Sequence, residues 1–548
     1  MGRSAAVGSA VRTAGRDTRT LPRTTSRVGG ARAAAAAVAL GLLATGCGGT
    51  GSSSAGGSDT LTIGITDDPG NLSPLTSLSK ITSLLSRFSY DSLVNVAPDG
   101  RIVSGVAEKW TADTLSATFT LRRDVTCADG KPLTASAVAA QYNFIVDPKN
   151  TSPQYGLTVA PGTVATADDA TNTLTLRTPE ATPFLLRGTT GLPLVCPSGL
   201  ATPDSLTHAT DGTGPYRLTE AATGDHFTYT KRPDYVWGPD NSRSTDLPER
   251  LVFKVIASES TRANLLLAKQ LDIAPVNGAD RIRLTAAGLK HEIQRDPFGM
   301  LLMNEASGHV TADPQVRWAL IAALDLKQLG AVATGGKGAA PTRVATTMLP
   351  PCQADAVSAN TPPHDPARAA EALRAAGWKK SGGHWSKDGK QLSIVLPHPT
   401  TAGSQLLSAI ELAIEQWKSF GVKVTRKPLT NGTTGEVLAS GQWDISWTPL
   451  TLTQPDQLVP FFSGPAAPDG INFGSIDNPE YKRQVALAMA KPDVAGCAEW
   501  TAAEAELVKR VDVVTFADSL SPYFVTHDAG FTIDGAGIDP MSLRLNRK

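Results

Sequence analysis

The segment Ser404 to Lys427, SQLLSAIELAIEQWKSFGVKVTRK, constrains the fold more than any other stretch. Leu406, Ile410, Ala413, Ile414 and Trp417 recur at the spacing of one helical face. Gly421 stops the helix, and VKVTRK follows at once as strand. A helix turned by glycine straight into a strand is the second half of a βαβ unit, so the sheet here is expected to be parallel or mixed. Asp313-Pro314 and Asp365-Pro366 open two further helices, each with a capping carboxylate before a proline in the first turn. Val316, Ala319, Leu320, Ala323 and Leu324 give the first of these one buried stripe, and the second ends at Gly377. The chain therefore reads as α/β.

Upstream, LTIGI (Leu61 to Ile65) reads as a strand followed by a turn-rich loop, TDDPGNLSPL. Val106 to Val125 alternates as a half-buried strand, with Ala117, Phe119 and Leu121 on one face. ADGKPLTA is a turn centred on Asp-Gly, with Thr134 placed to cap the next helix.

The first 32 residues hold seven arginines and one acid, Asp17, and an apolar run of 12 residues follows, Ala33 to Ala44. That run is short of the roughly 20 residues that span a bilayer. A basic flank, a short apolar stretch and small residues at its end describe a secretory signal peptide, residues 1–46, without a twin arginine. Ala44-Thr45-Gly46-Cys47 resembles the lipobox of bacterial lipoproteins, with the usual leucine displaced to Leu43. The match makes Cys47 the lipid attachment site and residues 47–58 a Gly/Ser tether.

Loss of that leader takes seven arginines and one acid from a chain of 51 basic and 51 acidic side chains, leaving 44 against 50. This mildly acidic balance gives no footing for nucleic acid. The four remaining cysteines, Cys127, Cys196, Cys352 and Cys497, suit an exported protein with two disulfides. Of three pairings, Cys127–Cys196 and Cys352–Cys497 are expected, since each closes within one half of the chain. No cysteine or histidine spacing calls for a metal, and no cofactor is expected. GGKGAAPT lacks the Gly-Lys-Ser/Thr of a phosphate loop, and there is no GxSxG elbow or HExxH pair, which argues against an enzyme.

Seven collinear stretches resemble the extracellular solute-binding proteins of family 5, which serve ABC importers of oligopeptides, dipeptides and nickel chelates. They include YDSLVNVAPDGRIVSGVAEKW running into TFTLRRDVTCADGKPLTASAV, then GTGPYRL, RPDYVWG, ESTRANLLLAKQLDIA, DPQVRWALIAALD, DPARAAEALRAAGW and FGVKV. The resemblance implies a two-lobed periplasmic-binding-protein-like fold (type II, cluster C) with two crossovers. Lobe I is expected over 59–298 with an inserted subdomain at about 98–211, lobe II over 299–507, and a return to lobe I over 508–548. Hinge closure around a solute needs no bond made or broken. The implied protein is a monomer on the outer face of the cell membrane that delivers a peptide or peptide-like solute to an ABC permease and ATPase.

The resemblance also nominates site residues. Trp447 in QWDISWTPL aligns with a tryptophan that walls the cleft. Three residues on, peptide-binding members carry an aspartate for the solute's α-ammonium group, and here the position is Leu450. An ammonium enclosed without a carboxylate costs several kcal/mol. Either Asp456 takes that part, or the solute is a blocked peptide, a metal chelate, a siderophore-like molecule or a glycoside. Asn472-Phe473 in GINFG resembles a family segment near the cleft. Asp68 and Asn71 are candidates on separate grounds, since their loop lies at the C-terminal end of the first strand, the edge ligands favour in α/β folds, while Arg317 reads as a structural ion-pair residue. A surface receptor uncoupled from transport is the remaining alternative.

Overall fold

A computed structural model describes residues 59–546, apart from 78, 345–350, 401–402, 430–433 and 535–536. The leader, Cys47 and the tether lie outside the described residues. Strand β1 (Thr60–Ile65) buries Leu61, Ile63 and Ile65. Beyond it, β2 (Ala107–Ala112) and β3 (Ser116–Leu121) form a hairpin, so the alternating segment is two strands rather than one. The break comes at Asp113, whose Oδ1 accepts from the backbone N–H groups of Leu115 and Ser116 at 2.7 Å each. Ala117, Phe119 and Leu121 do share a buried face. Strands β4 (Val164–Asp168) and β5 (Thr173–Arg177) complete a four-stranded sheet. Helix α1 (Ala135–Val146) packs on it, and its N-cap Thr134 accepts from Ala137 N.

The main sheet has eight strands and mixed direction. Strands β6 (Tyr216–Ala222), β7 (His226–Lys231), β8 (Arg250–Val255) and β9 (Ile273–Pro275) join β1, β10 (Lys290–Met303), β13 (Ile445–Trp447) and β14 (Val513–Val525). Their order across the sheet is β13-β10-β14-β9-β1-β8-β7-β6. β1 runs parallel to β8, Thr60↔Arg250 through Ile65↔Val255, and parallel to β9 at Ile63↔Ile273. Asp272, at the head of β9, accepts from Thr62 N at 2.8 Å and locks that register.

Two lobes are bridged by β10 and β14, the longest strands. They pair antiparallel from Lys290↔Val525 to Leu302↔Val513, with a register irregularity around Gly299. A Cβ on Gly299 would sit 2.6 Å from the Phe516 ring, so the two strands approach closely only because no side chain stands there. β10 starts level with β1 and runs on in the same direction into the second lobe. There, strand alternation splits the core into two layers. Leu301, Met303, Ile445, Trp447 and Val514 face one apolar cluster, and Met300, Leu302 and Val513 face another.

Helices α3 (Pro314–Ala322), α4 (Pro366–Ala375) and α5 (Ser404–Phe420) supply the first layer. Helices α6 (Pro479–Met489) and α7 (Cys497–Lys509) supply the second. (α2 is the short turn Leu185–Gly188 of the inserted region.) Asp313 and Asp365 cap α3 and α4 through Gln315 N and Arg368 N, each at 2.9 Å. α3 ends before Ala323 and Leu324, and Arg317, Ile321 and Ala322 are buried as well as its stripe, so the helix is enclosed on nearly every side. α5 stops at Gly421, which adopts φ 105°. Strands β11 (Ser393–Pro399) and β12 (Lys423–Leu429) flank α5 and pair parallel, the βαβ unit its sequence predicts. The cysteines form Cys127–Cys196 and Cys352–Cys497.

Candidate functional site

Several of the stretches that carry the family resemblance form joints between elements. Asp91 lies at the centre of one joint. Its carboxylate accepts from Tyr235 Oη at 2.7 Å, Thr213 Oγ1 at 2.9 Å and Trp237 Nε1 at 3.0 Å. YDSL, GTGPY and YVWG are thereby tied at one point. Burial pushes the Asp91 carboxyl up to about 6, against the lowering by its three donors. Gly212 and Gly214 press against Ser89 and Tyr90, where an added Cβ would lie 2.3 to 2.6 Å from their atoms. Arg317 is a joint too. It is fully buried, facing Glu305 at 3.3 Å and Asp512 at 3.4 Å, as the structural reading expects.

Trp447 closes β13 with no exposed surface. Its Nε1 donates to Phe298 O at 3.1 Å, and its ring meets Phe516 edge-on at 5.2 Å. Phe298 and Phe516 lie on the two bridging strands, so the tryptophan sits where the second lobe meets the hinge. Its ring is enclosed by protein and presents no face to solvent. Leu450 and Phe473 are half-buried against the second core layer of that lobe. Asn472 is 3% exposed and spends its amide locally, donating to Gly464 O and Ile476 O and accepting from Ile476 N. It fixes a loop.

Asp456 is half-buried in the turn Pro455–Leu458, with its Oδ1 sealed from solvent and without a hydrogen-bond partner. Burial pushes this carboxyl up to about 7. A buried acid with an unsatisfied oxygen gains from any donor that reaches it, and because this oxygen is sealed the turn Pro455–Leu458 has to shift before a cation meets it.

Asp68 and Asn71 occupy the loop at the C-terminal end of β1, on the side toward which β10 leaves for the second lobe. Asp68 accepts from Gly70 N and Gly224 N. Asn71 bonds Ser73 N at 2.8 Å and Thr76 Oγ1 at 3.0 Å. Among the described residues, the side-chain bonds of this pair stay within the first lobe. The residues that do meet across the lobes were not legible in the sequence. Gln457, beside Asp456, donates to Leu157 O of the inserted region at 3.0 Å, and Arg187 pairs with Asp493. Their sequence separations of 300 and 306 leave no local signal. His398, near the end of β11, is 6% exposed with an unpartnered Nε2, and nothing in its spacing sets it apart among eight scattered histidines.

Residues 101–469 match the family model for bacterial extracellular solute-binding proteins, family 5. The chain belongs to that family. As a family 5 solute-binding protein it is a transport binding protein and not an enzyme, and its family is extracytoplasmic. It is 31% identical over 426 residues to Protein XP55 of Streptomyces lividans, covering 74% of this chain and 73% of the relative. It is 25% identical over 496 residues to the glutathione-binding protein GsiB of Salmonella choleraesuis, covering 85% and 92%. A substrate-binding protein from Microbacterium hydrocarbonoxydans, solved with 4-hydroxybenzoate hydrazide, superposes with a TM-score of 0.70 at 26% identity over 89% of this chain and all of the other. Among the described residues no helix is long and apolar enough to cross a membrane, and no group of three or more metal-ligating side chains occurs.

Proposed function

We propose that this family 5 protein captures a peptide or peptide-like solute between its lobes and hands it to an ABC permease and ATPase. The observation that carries the solute class is the sealed, unpartnered oxygen of Asp456, six residues from Leu450, where the resemblance implies an aspartate. The α-ammonium group of a peptide, glutathione among them, supplies the missing donor. Lobe I is taken as 59–298 with its insertion at about 98–211, lobe II as 299–507, and 508–548 as the return. The protein is a monomer held on the outer face of the cell membrane by diacylglycerol on Cys47.

Melting temperature with added solute tests this reading, because a solute bound only by the folded state stabilises by RT ln(1 + [L]/Kd). Trialanine and glutathione raise it; N-acetyl-trialanine does not; Asp456→Asn abolishes the rise. A rise only with N-acetyl-trialanine or with a nickel–histidine chelate overturns the ammonium contact. It favours the second reading, in which Leu450 marks a changed specificity for a blocked peptide, a chelate, a siderophore-like molecule or a glycoside. A receptor uncoupled from transport binds its solute but leaves cellular uptake unchanged when deleted.

A further inference from the structure

The inserted region and the second lobe also touch directly through side chains. Arg187 donates from Nε to Asp493 Oδ1 at 2.8 Å and from Nη2 to Asp493 Oδ2 at 3.1 Å, a two-pronged pair. The Arg187 side chain is 8% exposed, and its Nη groups also reach Gly100 O at 3.3 and 3.4 Å. Its own subdomain thus holds it in place for the carboxylate. Asp493 N donates to Pro183 O at 2.8 Å. Phe184, 1% exposed, sits in an apolar cluster whose other buried members all come from residues 300–513, with its ring 6.1 Å from Trp500.

These contacts share a consequence. The two lobes swing apart only if the ion pair, the backbone bond and the Phe184 contact all break together, along with the single Gln457–Leu157 bond. Opening then returns Phe184 and one side of Trp500 to water and leaves a half-buried acid without its partner. We propose that Phe184, Arg187 and Asp493 form a clasp that favours the closed arrangement of the lobes and so sets the affinity for every solute. The inference rests on the two-lobe reading above but not on which solute is bound. These are positioning residues, since they act through closure. When only the closed fraction completes the site, apparent affinity scales with that fraction. Loss of the clasp therefore weakens all solutes by one common factor, whereas loss of a solute contact changes their ratios.

The test uses the full chain with Arg187→Ala, Asp493→Ala, both together, and Phe184→Ala. Small-angle X-ray scattering without added solute reads lobe separation, and calorimetric titration with trialanine and glutathione reads affinity. Each variant is expected to have a larger radius of gyration than the parent with the same circular dichroism. The two charge variants and their double should expand alike, because each alone already breaks the pair. Both probes should weaken by about tenfold, and by the same factor. Variants that scatter like the parent overturn the clasp, and so do unequal losses for the two probes. If neither probe binds, the scattering result alone decides, and the failure counts against the proposed solute class only.

Discussion

Glu305 shows what one buried side chain does to the whole protein. Burial, then the negative charge of Asp512 beside it, push its carboxyl up to about 8. Arg317 and Arg510 oppose the shift, Asn478 donates to Asp512 at 2.7 Å, and the carboxyl of Asp512 is itself raised by burial. The folded state keeps the Glu305 proton up to about pH 8, while the unfolded chain releases it near its ordinary value of 4.5. Between the two the folded state binds more protons, so stability falls as pH rises. Asp91 and Asp456 act in the same direction but are spent by about pH 6 and 7. The limb above pH 7 should therefore belong chiefly to the Glu305–Asp512 pair, with a smaller part from His226, whose imidazole Asp225 and Glu220 raise. Glu305→Gln, a neutral mimic of the protonated acid, is expected to flatten melting temperature against pH between 7 and 9 and leave the lower limb unchanged. An unchanged upper limb would assign that slope elsewhere.

Gly212 and Gly214 are argued at the level of the elements they join. At the end of the helix Lys80–Ser89, the Tyr90 ring and Ser89 O lie where a side chain on Gly212 would be, and the backbone of Phe88, Ser89 and Tyr90 lies where one on Gly214 would be. Gly214 N also donates to Ser89 O at 2.9 Å. Gly214→Ala should cost about 2 kcal/mol, since neighbouring backbone cannot turn aside as a side chain can. Urea unfolding checks it: the midpoint falls with an unchanged slope. Elements of this kind were legible when the signal was local. Asp313, Asp365 and Gly421 mark helix ends by their own chemistry, and the structure places ends there. The hairpin at Asp113 is hidden in the sequence because only its second arm, Ser116–Leu121, alternates cleanly, while the first buries Ala107, half-buries Trp110 and exposes the rest. The candidate site was less legible. Trp447 and Asn472 carry residue types that suit a cleft, yet each is consumed by its own surroundings. The lobe-to-lobe pairs join residues about 300 apart, beyond the reach of any spacing rule.

Across the whole molecule, the two disulfides serve a different end from the bridging strands. Cys127–Cys196 closes a loop inside the inserted region, and Cys352–Cys497 closes one inside the second lobe, with sequence separations of 69 and 145. In chain-entropy terms, loops of these lengths stabilise by about 4 to 5 kcal/mol each. Neither crosses between the lobes, so neither restrains the rotation that β10 and β14 permit. Stability and closure should therefore separate. Replacing either cysteine pair by serine is expected to lower the melting temperature by several degrees. The Kd of a bound solute at 25 °C should stay within about twofold, since the closed fraction is unchanged. The charge variants of the clasp, Arg187→Ala and Asp493→Ala, should do the reverse, with a small change in melting temperature and a large one in affinity. A cysteine-pair variant that lost affinity tenfold while still folded at 25 °C would mean that the bridge shapes the interlobe surface, and that stability and closure are not independent here.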